Sequence, residues 1–297
     1  MKIAIIQNII DIVRGKKLFN KPTIPFLVFW VGTKCTLKCK LCCNLIPYIA
    51  QESSNSDEIL KDLEFICKNV HIQTLQIQGG EPFTHPNADK IIDFVGNLKN
   101  IDKVEIATNG TLQLKQNVID ALKKNPHITV RVSDYDCAKN LQDKIIKQLE
   151  ENNINFYAYK FMYGNNTWFS TGGVNETREE NDEKVKKTYD ICDEKGCVTY
   201  YNGKILTCGK IPAIKLLYNC EQHESYDEVD VRQIRLAYSK PFFDNKDFKL
   251  RKSIKLFYKN YHKFKEQCRY CKITGEKHPA AQQLTQNELK EILCQKQ

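Results

Sequence analysis

Three cysteines are the residues of this sequence best suited to chemistry. Cys35, Cys39 and Cys42 are separated by three and by two residues, and they follow a short apolar run over residues 26–31. Three thiolates on one loop can each bind one iron of a 4Fe-4S cubane, which leaves the fourth iron without a protein ligand. A small molecule with an amino and a carboxylate group can chelate that iron and accept an electron from it. The spacing therefore indicates a reaction site rather than an electron relay.

Two further motifs each follow a predicted strand. Gly79-Gly80-Glu81-Pro82 comes after the apolar run 75–78, and Thr108-Asn109-Gly110 comes after residues 104–107. Enzymes built as β/α barrels carry their chemistry at the carboxyl ends of the strands. We therefore expect the cysteine loop and these two motifs to meet at one edge of a sheet.

Together the three motifs resemble the signature of the radical S-adenosylmethionine (SAM) superfamily. The resemblance implies a 4Fe-4S cluster on Cys35, Cys39 and Cys42, reductive cleavage of SAM to a 5′-deoxyadenosyl radical, and an electron donor such as flavodoxin or ferredoxin. It also implies that the cofactor is bound by Gly79, Gly80, Glu81, Pro82, Thr108 and Asn109. The two glycines suggest backbone approach to the ligand, and Glu81 is expected to bind rather than to transfer a proton.

The first motif departs from the family in two places. The residue before the third cysteine, which is often aromatic and packs beside the adenine, is Leu41, and an additional Cys43 follows without an assigned role. A structural zinc site is the alternative for these cysteines, although such a site usually has four ligands.

Apolar runs of strand length alternate with amphipathic helical segments over residues 24–160. The pattern predicts strands over residues 26–31, 73–78, 103–107, 128–133 and 154–160, and helices starting at Ser56 as the N-cap and over residues 87–98, 114–124 and 138–151. This alternation is typical of a parallel sheet with right-handed crossovers. The predicted fold class is α/β: an incomplete (β/α) TIM-like barrel of five or six parallel strands, with a small C-terminal auxiliary-cluster domain that contains a β-hairpin. We expect an N-terminal helix within 1–23, the barrel core over 24–175 and the auxiliary domain over 176–297, with a charged helix over 176–189.

A second group of cysteines lies in the C-terminal part of the chain. Asn202-Gly203, between two strand-like runs, predicts a hairpin with a type I′ turn and places Cys197 opposite Cys208. Cys192, Gly203 and Cys208, followed by Cys268 and Cys271, resemble the twitch domain, a half-length form of the SPASM domain. The resemblance implies an auxiliary 4Fe-4S cluster on Cys192, Cys208, Cys268 and Cys271, with Cys197 as an alternate ligand. A zinc ribbon is the alternative.

The fourth predicted strand and the loop after it supply further candidates. Arg131 and Ser133 share one face of the strand and are expected to point inward. Ser133 resembles the family's ribose-contacting position, and Arg131 could meet a carboxylate, although a polar layer inside the barrel is an equal alternative. Asp134 and Tyr135 are candidate substrate contacts or a simple turn, and Cys137 could donate a hydrogen atom if the reaction is an epimerisation. The aperiodic stretch 161–173 predicts a binding loop or a connector.

Composition limits the classes of protein to which the chain could belong. It has 297 residues, 41% of them apolar and 27% charged, and its 13 cysteines come with no secretory signal, which favours the cytoplasm, where thiols stay reduced. The longest apolar run, over residues 24–31, is far shorter than the ~20 residues that cross a bilayer. The formal charge of +9 is spread along amphipathic segments, which favours a solvated surface over nucleic-acid binding.

Three functions are consistent with these sequence features. The first is an oxidoreductase of the dehydrogenase type that abstracts hydrogen from a small polar substrate, such as a sugar, aminocyclitol or nucleotide sugar, with the auxiliary cluster as electron acceptor. The second is a peptide-modifying maturase that makes a cross-link or an epimer. We expect this less because no leader-binding segment fits into the 34 residues ahead of Cys35. The third is a non-catalytic zinc-binding protein.

Overall fold

The computed structural model describes residues 21–159, 167–170, 177–192, 194–218, 227–237, 245–274 and 276–294. The helix predicted near the N-terminus and most of the predicted binding loop over residues 161–173 lie outside the described residues. Among the helices within those ranges, none combines the length and the apolar character that crossing a membrane requires.

Strands and helices alternate through the first half of the described chain. The strands are β1 Thr23–Trp30, β2 His71–Gln78, β3 Ile101–Thr108, β4 Ile128–Ser133, β5 Phe156–Tyr159, β6 Thr167–Phe169, β7 Val198–Tyr201, β8 Lys204–Leu206, β9 Glu228–Asp230 and β10 Lys277–Pro279. The helices are α1 Ser56–Asn69, α2 Ala88–Gly96, α3 Gln116–Lys124, α4 Lys139–Glu151, α5 Asp182–Asp190, α6 Lys210–Tyr218, α7 Val231–Leu236, α8 Lys246–Lys259 and α9 Gln286–Cys294.

The main sheet has the strand order β5-β4-β3-β2-β1-β7-β8-β9. Each neighbouring pair from β5 through β1 to β7 is parallel. β8 pairs antiparallel with both β7 and β9, so among the described strands of this sheet β8 alone runs in the opposite direction. This α/β, mostly parallel sheet is consistent with the predicted incomplete TIM-like barrel. The strands predicted between residues 26 and 160 are confirmed, with ends that differ by a few residues.

The sixth parallel strand is the first strand of the hairpin. β7 pairs with the free edge of β1, with Val198 opposite Leu27, and the turn places Asn202 at φ 44° and Gly203 at φ 90°. Both central residues are thus left-handed, as a type I′ turn requires. The sequence predicted the hairpin, because the signal for its turn is local. It did not predict that β7 pairs with β1, because that pairing joins distant segments.

Two helices begin at residues other than those predicted, α1 one residue earlier and α5 several residues later. Asn55 rather than Ser56 caps α1, since its side chain accepts a hydrogen bond from the Glu58 N–H at 3.2 Å. Asn181 caps α5 in the same way, which starts that helix at Asp182 rather than near residue 176. In both cases the cap is the side chain that reaches a free N–H of the first turn.

A buried carboxylate connects α1 with the hairpin and α7. Asp62 is fully buried and lies 2.7 Å from both Arg232 and Arg235. The Tyr200 hydroxyl donates a third contact, at 2.6 Å. Because every charge here has a partner, the ion pairs hold the C-terminal hairpin against a helix of the barrel.

The two faces of the sheet differ in polarity. The face covered by helices is apolar, with Phe29, Ile77 and Val130 among its buried residues. The residues that alternate with them form what we call the inner face, and register places these side chains in adjacent rows: Gln76 beside Glu105, Glu105 beside Thr129, and Ala107 beside Arg131. A barrel interior lined this way favours a polar occupant.

The C-terminal segment returns to the cysteine loop. β10 pairs antiparallel with β6, and residues 280–285 then follow the backbone around Cys39. Lys40 N–H donates to Gln282 O at 2.7 Å, and Leu284 N–H donates to Lys38 O at 2.8 Å. A segment 244 positions from Cys39 along the chain therefore lies against the first motif.

Candidate active site

The first and second motifs are joined through their backbones. Gly80 N–H donates to Gly32 O at 3.1 Å, and Glu81 N–H donates to Lys34 O at 2.7 Å. A Cβ atom at Gly79 would lie 2.2 Å from Gly32 O, and one at Gly80 would lie 2.2 Å from Lys34 O. The sequence suggested that these glycines let the backbone approach a ligand. That suggestion stays a prediction, and the structure shows that the glycines let the backbone approach the loop that leads to Cys35.

Glu81 joins the second motif to the third. Its side chain is buried, and it accepts hydrogen bonds from the Thr108 hydroxyl at 2.8 Å and from the Asn109 N–H at 2.7 Å. A third bond comes from the Phe83 N–H at 3.2 Å, next to Pro82. Burial raises the pKa of Glu81 to about 7, although these donors act in the opposite direction. The carboxyl group thus fixes the position of Thr108 and Asn109.

The three thiols of the first motif affect one another electrostatically. The pKa of Cys35 is raised to about 11, mainly by burial and to a smaller extent by the charges of Glu81 and Cys42. The pKa of Cys39 is raised by burial and then by Cys42 and Cys35. Such thiols ionise readily only when a cation balances them. Cys42 acts on both Cys35 and Cys39, and Cys35 acts on Cys39, so the three sulfurs lie near one another and the space beside them is the candidate cluster site.

Hydrogen-bond donors surround this space. Asn109 Nδ2 lies 3.6 Å from Cys35 Sγ, and Gln283 Nε2 lies 3.4 Å from Cys39 Sγ. Trp30 packs in one group with Cys35 and Cys42, and its buried Nε1 has no hydrogen-bond partner among the described residues. Soft thiolates with N–H donors around them are the ligand set of an iron–sulfur cluster. Within the described ranges, no three His, Cys, Asp or Glu side chains come together closely enough to hold a single metal ion.

The second group of cysteines also converges. Burial raises the pKa of Cys208, and the charges of Cys268 and Cys271 raise it further. Burial likewise raises the pKa of Cys268 to about 12, with contributions from Cys271 and Cys192. The Lys265 N–H lies 3.3 Å from Cys268 Sγ. Segments far apart in sequence thus bring Cys192, Cys208, Cys268 and Cys271 near enough to affect one another electrostatically.

Cys197 lies between this second group and the first cysteine loop. Its pKa is raised to about 12, mainly by burial, and the nearby Glu194 and Cys192 also raise it. It packs in the same group as Cys35 and Cys42, and its charge contributes to the raised pKa of Cys43, for which burial is the main cause. Cys43 and Cys197 therefore lie between the two cysteine groups.

The inward residues of β4 lie where register predicted them. Ser133 is buried, and the Arg131 guanidinium lies 4.9 Å from the centroid of the Tyr159 ring. Arg131 Nε is buried and has no hydrogen-bond partner among the described residues. Tyr135, next to Asp134, meets the edge of Trp168 at 5.6 Å between centroids.

Cys137 and Gln283 both connect the site with the C-terminal segment. The Cys137 thiol donates to Ala281 O at 3.3 Å, so it faces the C-terminal segment. Gln283 was missed by the sequence analysis, because nothing local marks a glutamine that contacts a cysteine 244 positions away.

The match to known proteins agrees with this geometry. A profile described as the radical SAM superfamily matches residues 31–192, more than half of the chain. The chain therefore belongs to the radical SAM superfamily, whose members use a 4Fe-4S cluster and SAM.

Two curated relatives match a shorter part of the chain. The subtilosin biosynthesis protein AlbA of Bacillus subtilis (strain 168) is 34% identical over 90 residues, which cover 30% of this chain and 19% of that protein. GTP 3′,8-cyclase of Syntrophomonas wolfei is 30% identical over 95 residues, covering 31% of this chain and 29% of that protein. The matched segments thus span less than a third of either relative.

Solved structures show a distant likeness. SuiB of Streptococcus suis bound to the precursor peptide SuiA has 23% identity and a TM-score of 0.40, over 49% of this chain and 35% of that one. BtrN in complex with AdoMet and 2-DOIA has 13% identity and a TM-score of 0.43, over 89% of this chain and 100% of that one.

Proposed function

We propose that the chain is a radical SAM oxidoreductase that acts on a small, polar, anionic substrate held against the inner face. Cys35, Cys39 and Cys42 would hold the first cluster, and Cys192, Cys208, Cys268 and Cys271 would hold an auxiliary one. When bound, the first cluster supplies the electron that cleaves SAM to methionine and a 5′-deoxyadenosyl radical, and the second accepts the electron left on the substrate. A reduced flavodoxin or ferredoxin is the proposed donor.

The protein's own contribution begins with the arrangement of the motifs. Gly80 and Glu81 hold the cysteine loop by two backbone bonds, and the Glu81 carboxylate holds Thr108 and Asn109. SAM bound at the cluster would therefore lie beside groups that are already fixed, which lowers the entropy cost of aligning it. Ser133 is proposed to contact the ribose from β4.

The observation that carries the substrate class is Arg131. Its buried Nε has no hydrogen-bond partner among the described residues, on an inner face that also carries Gln76, Glu105 and Thr129. A buried guanidinium donor without an acceptor costs free energy unless a ligand supplies one. A carboxylate or phosphate group of the substrate would supply that acceptor, and the Tyr159 ring under the guanidinium would hold its plane in position.

The curated relatives favour two substrate classes. The name of one states that it cyclises GTP, which is small, polar and anionic. The name of the other assigns it to the biosynthesis of the bacteriocin subtilosin. A peptide-modifying maturase, making a cross-link or an epimer, is therefore the second candidate function, and it rests on this similarity alone.

Anaerobic reconstitution followed by turnover assays separates these candidates. SAM, a strong reductant and a panel of sugars, aminocyclitols, nucleotide sugars and peptides are supplied, and 5′-deoxyadenosine is measured by mass spectrometry. We expect 5′-deoxyadenosine with an anionic small molecule, and deuterium transfer from that substrate into the product. SAM consumption that occurs only with a ribosomal peptide would contradict the proposal.

An Arg131 variant tests whether this side chain binds an anionic group of the substrate. Arg131→Met retains an unbranched, flexible side chain and removes every donor, so KM for the substrate should rise by about tenfold to a hundredfold, the loss expected for one charge-assisted contact. Thr129→Val, on the same face of β4, is the matched control and should leave KM within about threefold of wild type. Equal KM values in Arg131→Met and wild type would refute the role of Arg131.

A further inference from the structure

The backbone on both sides of Cys39 is held by the C-terminal segment. Cys39 and Gln283 face each other as an isolated antiparallel bridge. Lys40 N–H donates to Gln282 O on one side, and Leu284 N–H donates to Lys38 O on the other. Cys39 itself is only 8% exposed, so water has limited access to its sulfur.

The Gln283 side chain completes this contact. Its Oε1 accepts from the Lys38 N–H at 2.7 Å, and its Nε2 donates to Ala281 O at 2.6 Å. These two bonds orient the carboxamide so that Nε2 also lies 3.4 Å from Cys39 Sγ. The N–H donor is thus directed at the sulfur by contacts that do not involve the sulfur.

An N–H donor has a specific effect on a cluster ligand. Sulfur in a neutral thiol is a weak acceptor, whereas an iron-bound thiolate carries negative charge and accepts strongly. Reduction adds one more negative charge, so the donor stabilises the reduced cluster more than the oxidised one. Hydrogen bonds to the sulfurs are among the features by which proteins set cluster potentials.

We infer that Gln283 is a positioning residue for the radical-generating cluster, which on the proposed function is held in part by Cys39. Its carboxamide raises the reduction potential of that cluster by donating to the Cys39 thiolate. The donor comes from the segment that also pairs with β6 through β10 and accepts the Cys137 thiol at Ala281. The ease of reducing the cluster therefore depends on the C-terminal segment being seated on the loop.

A redox titration of the reconstituted full-length chain tests this inference. The reduced cluster is followed by electron paramagnetic resonance, and the signal that changes when SAM is added identifies the cluster that binds SAM. In Gln283→Leu we expect the ratio of reduced to oxidised cluster at a fixed solution potential to fall about tenfold, equivalent to about 59 mV for a one-electron couple. Gln283→Glu keeps the acceptor for the Lys38 N–H but replaces the donor with a carboxylate, so its potential should fall in the same direction.

Gln282→Leu is the matched control. Gln282 is exposed and contributes its backbone carbonyl to Lys40, which the substitution retains, so its titration should coincide with that of wild type. Wild-type potentials in both Gln283 variants would overturn the inference, and so would an equal shift in Gln282→Leu. If the Gln283→Leu protein does not retain iron, the reduction potential of Gln283→Glu alone tests the inference. Turnover with substrate does not enter the titration, so failure of the proposed substrate class is distinguishable from failure of this inference.

Discussion

The Glu81 carboxyl group should make the stability of the protein depend on pH in a defined direction. Glu81 is 2% exposed, and burial raises its pKa to about 7 from an ordinary value of 4.5. Between these two pH values the folded state binds more protons than the unfolded state. The stabilising contribution of the protonated carboxyl is therefore fully present below about pH 4.5 and is lost as the pH rises through about 7.

The perturbation that isolates this effect is Glu81→Gln. Glutamine reproduces the shape of the neutral carboxyl group but does not titrate. Integrating the linkage relation for the two pKa values, the free energy of unfolding of wild type relative to Glu81→Gln should fall by about 2 kcal/mol between about pH 5.5 and about pH 8.5. Because the other groups titrate in both proteins, their contributions cancel in the difference.

The assay is urea unfolding of both proteins under anaerobic conditions at the two pH values, followed by tryptophan fluorescence. We expect the free energy of unfolding of wild type, relative to that of the variant, to be larger at the lower pH. A difference that does not change with pH would show that the carboxyl group titrates normally. A difference that grows with pH would show that the hydrogen bonds from Thr108 and Asn109 outweigh burial, which would refute the reasoning.

Three further substitutions test separate parts of the structure. Asp62→Ala leaves Arg232 and Arg235 without their buried partner, and denaturant unfolding should show a loss of about 3–5 kcal/mol. Gly80→Ala would place a Cβ atom 2.2 Å from Lys34 O. This overpacking should cost about 1–3 kcal/mol of stability and move the cysteine loop, so SAM binding measured by equilibrium dialysis should weaken. Unchanged SAM binding would contradict the proposed role of this contact. Cys192→Ser should lose the auxiliary iron measured by metal analysis, and Cys197→Ser, its matched control, should retain it; the reverse result would assign the ligand to Cys197.

Local signals explain what the sequence predicted well. The strands and helices of the barrel follow from periodicity, and the hairpin follows from the dipeptide Asn202-Gly203, whose positive φ angles the structure confirms. The meeting of three motifs at one sheet edge follows from parallel topology. None of these predictions requires knowledge of contacts between distant segments.

The features that were missed are all long-range. The pairing of β7 with β1 depends on which sheet edge is free, and the Asp62 ion pairs depend on where α7 packs. The close contact of Gly79 and Gly80 with the loop before Cys35 was not predicted, because the space beside a glycine is defined only when the neighbouring loop is in place. Gln283 has no local signature, since its role comes from a side-chain contact with Cys39 across 244 positions.

The central claim is that Cys35, Cys39 and Cys42 hold a cluster whose open iron binds SAM. Its most direct test is the measurement of 5′-deoxyadenosine formed by the anaerobically reconstituted chain under strong reductant, compared with Cys35→Ala, Cys39→Ala and Cys42→Ala. We predict product from wild type and none from any of the three variants, with SAM altering the resonance signal of the wild-type cluster alone. Product formation that survives the loss of any one of these thiols would contradict the account.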